Sequence, residues 1–238
     1  MRTHFPALLA ALAALAIAAP ASGATRNFGI TSFERIRVDG PYKVRLTTGV
    51  APFASASGSN AAIDRVAIDV QGSTLVVHAN RSSWGGFPNE TGGAAEIIIG
   101  THDLKAAWLN GSGSLTISAV KGLNFDLSAQ GSGSVAIDRA DVDHFRIHLY
   151  GTAAGTVAGR AGKLTALIRG VSSLDASGLT SKDATIGAEG PATVKAAVTN
   201  AAKITASGAA TITLTGSPAC TAKLSGSASV SGCGSGAN

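Results

Sequence analysis

The densest group of polar side chains in the sequence lies in residues 138–148, "DRADVDHFRIH". Its carboxylates and imidazoles are of the types that bind a metal ion, and its arginine is of the type that binds an acidic sugar. On a strand, His144, Arg146 and His148 share one face, because successive side chains point to opposite sides. A guanidinium between two imidazoles repels a metal ion, so the favoured interpretation is the solvated face of one strand and its turn. We therefore expect no metal site and no cofactor.

Two other patterns bear on catalysis. The tetrapeptide GSGS occurs at 111–114 and again at 131–134, but "LTIS" and "VAID" follow it, whereas a phosphate-binding loop leads into a helix. The G-x-S-x-G elbow of a serine nucleophile is absent. A β-helical polysaccharide-degrading enzyme needs long loops that wall a cleft containing gathered acids, and the C-terminal half has no insertion of that kind. We predict that the chain is not an enzyme, with such an enzyme as the remaining alternative.

Aromatic side chains in polar surroundings are the best candidates for ligand contact, since they stack on sugar rings or anchor a protein partner. One group lies in the longest polar loop, "NRSSWGGFPNETGG" at 80–93, and the other lies at outward-facing positions of predicted strands, where it forms a patch on one flank. The candidates are Trp84, Phe87, Asn89, Trp108 and Tyr150. For the loop, an equally weighted alternative is that its tryptophan packs back onto the core.

The elements that position these residues follow from a repeat. Glycines recur at 111, 131, 151, 170, 190, 208 and 226, at spacings of 20, 20, 19, 20, 18 and 18. Positions two and four before each glycine are apolar, and positions four and six after it are mostly apolar. Alternation of this kind indicates strands with one buried face. The residue three after the glycine is Ser or Thr in six of seven copies, and we expect its hydroxyl to bond the corner backbone.

A strand–corner–strand unit of about 20 residues cannot bury its apolar face alone, but stacked copies can. The sequence therefore predicts an all-β parallel β-helix, or solenoid, with coils of about 18–20 residues, and parallel crossovers favour a right-handed winding. An antiparallel sandwich is the rival, but it predicts hairpins and not column-by-column matches at constant spacing. The repeat is clearest over residues 100–232 and continues less cleanly upstream, as in the strand pair around Gly72.

The first 24 residues form a predicted signal peptide. Arg2 is followed by the apolar stretch Ala7–Ala19 and by small residues before a cleavage site after Ala24, with Ala21 as a second possible site. The apolar stretch is too short to span a bilayer, which needs roughly 20 residues. The rest of the chain, 25–238, is predicted to form one β-helical domain without a transmembrane segment, located in the periplasm, on the outer surface or outside the cell.

The charge distribution argues against a nucleic-acid partner. The formal net charge is +5 and the basic residues are scattered, whereas nucleic-acid binding requires a dense basic stripe with stacking aromatics. We therefore expect no nucleic-acid binding.

Cys220 and Cys233 are the two cysteines, and an even count in an exported chain favours a disulfide. Two free buried thiols are the alternative. We expect the disulfide to hold the last turn over the final coil.

Three segments carry a resemblance to a known family: "FERIRVDGPYKVRLTTG", "LKAAWLNGSGSLTI" and "LSAQGSGSVAIDRADVDHFRIHLYGTA". Over roughly residues 33–217 the chain resembles the putative auto-transporter adhesin, head GIN domain family of bacterial exported proteins. The resemblance implies a β-helix-like fold and an envelope or extracellular location, and it carries no catalytic residues. The expected function is a binding or structural module, with adhesion to a surface glycan or an envelope protein first. A structural or sensory accessory of the envelope is the second hypothesis.

Overall fold

The computed structural model of the chain describes residues 24–80 and 95–234, which form one 17-stranded sheet and one short helix. The N-terminal elements are β1 (Ala24–Phe28), β2 (Arg35–Asp39), β3 (Lys43–Thr48), β4 (Phe53–Gly58), α1 (Asn60–Asp64), β5 (Val66–Gln71), β6 (Thr74–Ala79), β7 (Glu96–Thr101), β8 (Ala106–Gly111) and β9 (Ser114–Ile117). The C-terminal elements are β10 (Val120–Gly131), β11 (Ser134–Gly151), β12 (Ala154–Gly170), β13 (Ser173–Glu189), β14 (Thr193–Gly208), β15 (Thr211–Thr215), β16 (Ala219–Gly226) and β17 (Ser229–Ser231). The predicted signal peptide lies almost entirely outside the described residues.

The C-terminal strands stack as the coils of a parallel solenoid. Gly111 pairs with Gly131, Gly131 with Gly151 and Gly151 with Gly170, which are offsets of 20, 20 and 19 residues. The last coils are shorter, since Gly208 pairs with Gly226 at an offset of 18. The predicted β-solenoid and its coil length are therefore confirmed.

The core fills the inside of the coils with the apolar positions that alternate along each strand. In β11 the side chains of Phe145, Ile147 and Leu149 are fully buried, whereas His144 and Arg146, which alternate with them, are exposed. Phe125 and Phe145 stack on adjacent coils with their ring centroids 5.7 Å apart. Because strands in register bring equivalent residues together, the buried side chains form continuous columns along the solenoid.

Each GSGS segment is a corner between two strands. Gly131 has a φ of +109°, and a Cβ added there would lie 2.6 Å from the carbonyl oxygen of Gly111 on the preceding coil. From Gly111 to Gly208, the second residue after each corner glycine is also small and buried, because it faces the inside of the bend. These residues are Gly113, Gly133, Ala153, Ser172, Ala192 and Ala210. The corner is therefore specified by two small residues.

The prediction that the hydroxyl three residues after the glycine bonds the corner backbone is wrong. Ser134 begins β11 and faces outward, and its backbone N–H donates to the carbonyl of Gly113, 3.0 Å away. The corner hydroxyls that bond the coil before them follow the glycine directly. Thr152 Oγ1 donates to the carbonyl of Gly131 at 3.3 Å. Coil-to-coil backbone bonds thus take the place of the expected local ones.

The N-terminal end departs from the solenoid. The segment around Gly72 is a strand pair, as predicted, but β5 and β6 pair antiparallel, so they form a hairpin and not a coil. Strand β4 is also antiparallel to its neighbours β1 and β7. Helix α1 is N-capped by Ser59, whose Oγ accepts from the Ala62 N–H at 3.2 Å, and it buries Ile63. This helix was not predicted, since five residues are too few for a periodic pattern.

The C-terminal coil is closed by covalent and hydrogen bonds. Cys220 and Cys233 form the expected disulfide, and the Gly234 N–H donates to the Pro218 carbonyl at 2.9 Å. Within the described residues, no helix has the length and apolar character needed to cross a membrane.

Candidate ligand-binding slot

An indole and an imidazole lie in one outward-facing column of the solenoid with a small residue between them. Trp108 on β8 pairs in register with Ser128 on β10, and Ser128 pairs with His148 on β11. Neighbouring strands lie about 4.8 Å apart, so the backbones of Trp108 and His148 are about 10 Å apart. The small Ser128 side chain leaves a depression between the two rings.

We call this depression the slot. It has a volume of about 250 Å³ and is lined by Trp108, Asp126, Leu127, Ser128, Arg146 and His148. Trp108, Ser128 and His148 are half-buried, so each ring is held against the surface while part of it remains accessible. The slot therefore combines aromatic walls with polar groups beside the floor.

An ion pair flanks the slot on one side. Arg146 Nη1 donates to Asp126 Oδ1 at 3.0 Å, and both side chains are about half exposed. An exposed pair of this kind contributes little to stability. It does fix two charged groups at the slot, and these groups have lone pairs and N–H donors left to bond a ligand hydroxyl.

A chain of contacts supports the His148 wall. The ring of Tyr150 meets the ring of His148 edge to face, with centroids 6.4 Å apart. The Arg169 guanidinium carbon lies 6.0 Å from the centre of the Tyr150 ring. Arg169 Nη2 donates to Glu189 Oε1 at 3.1 Å, and Arg169 Nε lies 3.0 Å from Glu189 Oε2 in the same ion pair. Because Arg169 covers part of Tyr150, this tyrosine is better placed to support His148 than to stack on a ligand.

The structure separates the members of the 138–148 cluster. Asp141 receives two bonds from Arg160 on the next coil, at 2.7 and 3.0 Å. This hydrogen bonding holds the pKa of the Asp141 carboxyl below its usual value. Arg146 and His148 line the slot. Among residues 24–80 and 95–234, no group of three or more His, Cys, Asp or Glu side chains is arranged to hold a metal ion.

Sequence reasoning treated His148 as part of a solvated face and missed its place in the slot, together with Asp126 and Ser128. A signal was present, because Trp108, Ser128 and His148 each stand three residues before a corner glycine. Trp108 and Tyr150 do lie on the same outward face. The other candidates, Trp84, Phe87 and Asn89, lie outside the described residues.

A second depression, of about 200 Å³, lies at the corner that contains Pro41, Lys43, Ser112, Gly113, Ser114 and the equivalent serines of the next coil. It also touches Tyr42, but this ring is only 7% exposed. Burial raises the pKa of Tyr42, and its hydroxyl donates to the Arg65 carbonyl at 3.2 Å. Because the Tyr42 ring is buried, it is not available to stack on a ligand, and this depression is a weaker candidate for ligand binding than the slot.

Comparison with known proteins agrees with the fold and with the sequence resemblance. A "putative adhesin" from Bacteroides fragilis superposes with a TM-score of 0.77 at 18% identity, covering 89% of this chain and 96% of the other. A "putative adhesin" from Parabacteroides merdae gives a TM-score of 0.68 at 19% identity, covering 88% and 95%. A "putative lipid binding protein" from Parabacteroides distasonis gives 0.68 at 20% identity, covering 88% and 96%. At these identities the likeness concerns the fold alone.

No protein of curated function matches the chain. The family model described as "Putative auto-transporter adhesin, head GIN domain" matches residues 32–218. This span includes both GSGS corners, the slot and most of the coils. The chain belongs to the head GIN domain family of putative auto-transporter adhesins.

Proposed function

We propose that the protein is an exported, non-catalytic binding module that holds a sugar residue of a cell-surface glycan in the slot. The observation that carries this proposal is the pair of rings, Trp108 and His148, two coils apart over a serine floor. The C–H groups of a sugar pack on aromatic faces, and its hydroxyls bond carboxylate and guanidinium groups of the kind that Asp126 and Arg146 supply.

The size of the slot supports a small ligand unit. Pockets for drug-sized molecules measure roughly 300–1,000 Å³, and the slot has about 250 Å³. It therefore suits one sugar residue at the end or side of a glycan better than a long stretch of chain.

The slot residues favour binding over hydrolysis. Most glycosidases use two carboxyl groups that flank the scissile bond. Asp126 is the only carboxylate among the residues that line the slot, and it is already paired with Arg146. A polysaccharide-degrading enzyme is therefore the weaker alternative. A structural or sensory role in the envelope would use the same surface to contact a protein.

A lipid ligand has less support. The inward-facing columns, which would have to enclose an acyl chain, are occupied by buried side chains such as Phe125, Phe145 and Ile147, and an ion pair flanks the slot on one side. A sugar therefore matches the lining of the slot better than a lipid does.

The test fills the slot without removing any of its polar groups. Ser128→Phe places a ring on the floor, and Thr205→Phe is the matched control, since it is an exposed position of the same column on a later coil. On a glycan array, Ser128→Phe is expected to lose at least about tenfold in apparent affinity, as expected when a buried contact of roughly 1.4 kcal/mol is lost. Thr205→Phe is expected to bind like the wild type.

Two outcomes would reject the proposal: equal glycan binding by both variants, or no glycan binding by the wild type. If an envelope protein is captured by the wild type and by Thr205→Phe but not by Ser128→Phe, the partner is a protein and the glycan is ruled out as the ligand.

The polar loop is a second proposed contact. Replacing Trp84 and Phe87 by Ala is expected to weaken attachment to the glycan or surface without unfolding the protein, because exposed aromatic rings supply much of the contact area at such sites. The same array measures the effect, with the melting temperature as a control. Unchanged binding would remove the loop from the proposal.

A further inference from the structure

The last coil of the solenoid, residues 218–234, exposes side chains that are buried in every preceding coil. Leu224 is 47% exposed, whereas Ala206, its register partner one coil earlier, is 1% exposed. Ala222 is exposed and Val230 is half-buried, although the residues paired with them one coil earlier are buried. We call the surface formed by Ala222, Leu224 and Val230 the end plate.

The strands around the end plate also have free edges. Strand β16 pairs with β14 alone, and β17 pairs with β15 alone, among the described residues. Exposed edge strands in monomeric proteins are commonly protected by charges, proline within the strand or bulges. Residues 219–234 contain a single charged residue, Lys223, and no proline. This edge is therefore open to pairing.

The coil is held in shape, so its edge is ordered before any partner arrives. The Cys220–Cys233 disulfide and the hydrogen bond from the Gly234 N–H to the Pro218 carbonyl join its two ends. A pre-ordered edge loses less conformational entropy on pairing than a flexible one.

Among the described residues, the core at the opposite end of the solenoid is covered and not open. Helix α1 covers the core there with Ile63, which is 2% exposed. Strands β1, β4 and β5, paired antiparallel, lie beside it. Head-to-tail stacking of two copies would therefore place an open plate against a capped end, and the complementary partner of an end plate is another end plate.

We infer that a second copy of this chain covers the end plate, so that two solenoids join tail to tail about a twofold axis. The axis makes the two β16 strands antiparallel, and antiparallel edges satisfy each other's N–H and C=O groups. The apolar side chains of the two plates then leave water together. The near absence of charge on this coil removes the repulsion that a self-paired surface would otherwise face.

Light scattering coupled to size exclusion tests the inference on the protein without its signal peptide, at tens of micromolar. The wild type is expected at the mass of two chains, and Leu224→Lys, which puts a charge on each plate, is expected at the mass of one. Leu123→Lys is the matched control, since it replaces a leucine that is 70% exposed on an earlier coil, and it is expected to remain at two. A wild type at the mass of one chain, or a Leu224→Lys protein at two, would overturn the inference.

A second measurement uses the unmodified protein and so does not depend on how a variant folds. Amide hydrogen exchange in residues 219–226 is expected to slow as the protein concentration rises, because pairing protects the free edge. Exchange that does not change with concentration would contradict tail-to-tail pairing.

Discussion

Replacing Gly131 by Ala tests whether the GSGS segment is a tight corner of stacked coils. The perturbation adds one methyl group at a residue with a φ of +109°, and this methyl group would lie 2.6 Å from the Gly111 carbonyl oxygen. The control is Gly122→Ala. Gly122 has a similar φ of +122°, but nothing lies within 4 Å of its added Cβ. The two variants share the backbone strain and differ in the contact with the neighbouring coil.

The expected loss of stability follows from the backbone strain and the contact with the neighbouring coil. A non-glycine residue at such a φ costs about 1–3 kcal/mol in either variant. To reach an ordinary contact of 3.4 Å, the coils at Gly131 must separate by several tenths of an ångström. Overpacking of this kind costs about 1–3 kcal/mol, and weakening the bond from the Ser132 N–H to Gly111, at 3.1 Å, adds about 1 kcal/mol. Gly131→Ala is therefore expected to be about 2–4 kcal/mol less stable than Gly122→Ala.

The assay is urea unfolding of the wild type and both variants, followed by far-UV circular dichroism. A stacked solenoid need not unfold in one step, so the transition that includes the central coils is the one to compare. Equal destabilisation by the two alanines would refute the argument, because it would leave only the backbone strain and no close approach between coils.

The remaining predictions concern the last coil and one carboxylate. Reduction of the Cys220–Cys233 disulfide is expected to lower the melting temperature by about 5–10 °C, since closing a loop of this length adds roughly 3 kcal/mol to the free energy of unfolding. Ligand binding is expected to stay the same. An equal melting temperature with and without reductant would contradict a stabilising role of the disulfide. Ser177→Ala is expected to raise the pKa of Asp175 towards its usual value, because the Ser177 hydroxyl, followed by its backbone N–H, holds that pKa low. A lowered carboxyl pKa stabilises the folded protein above the unfolded pKa and stops doing so as the pH falls through the folded pKa, so the variant should lose stability at neutral pH and match the wild type in acid. A carbon-detected NMR titration of Asp175 that shows no change in the variant would refute this assignment.

The fold was predictable because one physical constraint acts at every coil. A strand that stacks on its own copy must repeat its apolar positions, its corner glycine and its small buried residue at a constant spacing. The column pattern around Gly111, Gly131 and Gly151 therefore specifies parallel pairing in register, and the structure shows that pairing.

The N-terminal end was predictable only in part, because its strands do not all stack on copies of themselves and so need not repeat the column pattern. Strand β6 pairs with coil strand β2 on one edge and with the hairpin strand β5 on the other. The sequence around Gly72 reads as strand, glycine, strand in either case, and the direction of pairing depends on contacts distant in the sequence. Helix α1 has only five residues, which are too few to show a helical period, and its one local signal is the capping serine Ser59.

The residues of the slot were identified from the sequence only in part. Trp108 and Tyr150 were identified because they are aromatic residues at outward-facing positions of predicted strands. His148 and Ser128 were not identified as partners of Trp108, because His148 was interpreted as part of a solvated face and Ser128 has no feature of its own that suggests a site. Reading each outward column across the coils, and looking for a small residue between two rings, would have identified the slot.

The most direct test of the account is an NMR titration of the isotope-labelled protein with a glycan that it binds. The chain has two tryptophans, Trp84 in the polar loop and Trp108 in the slot, so their two indole N–H signals report on the two candidate contacts separately. We predict that the Trp108 signal shifts together with backbone amides near Ser128 and His148, and that Ser128→Phe abolishes these shifts. Saturating glycan that leaves the Trp108 signal and these amides unmoved would contradict it.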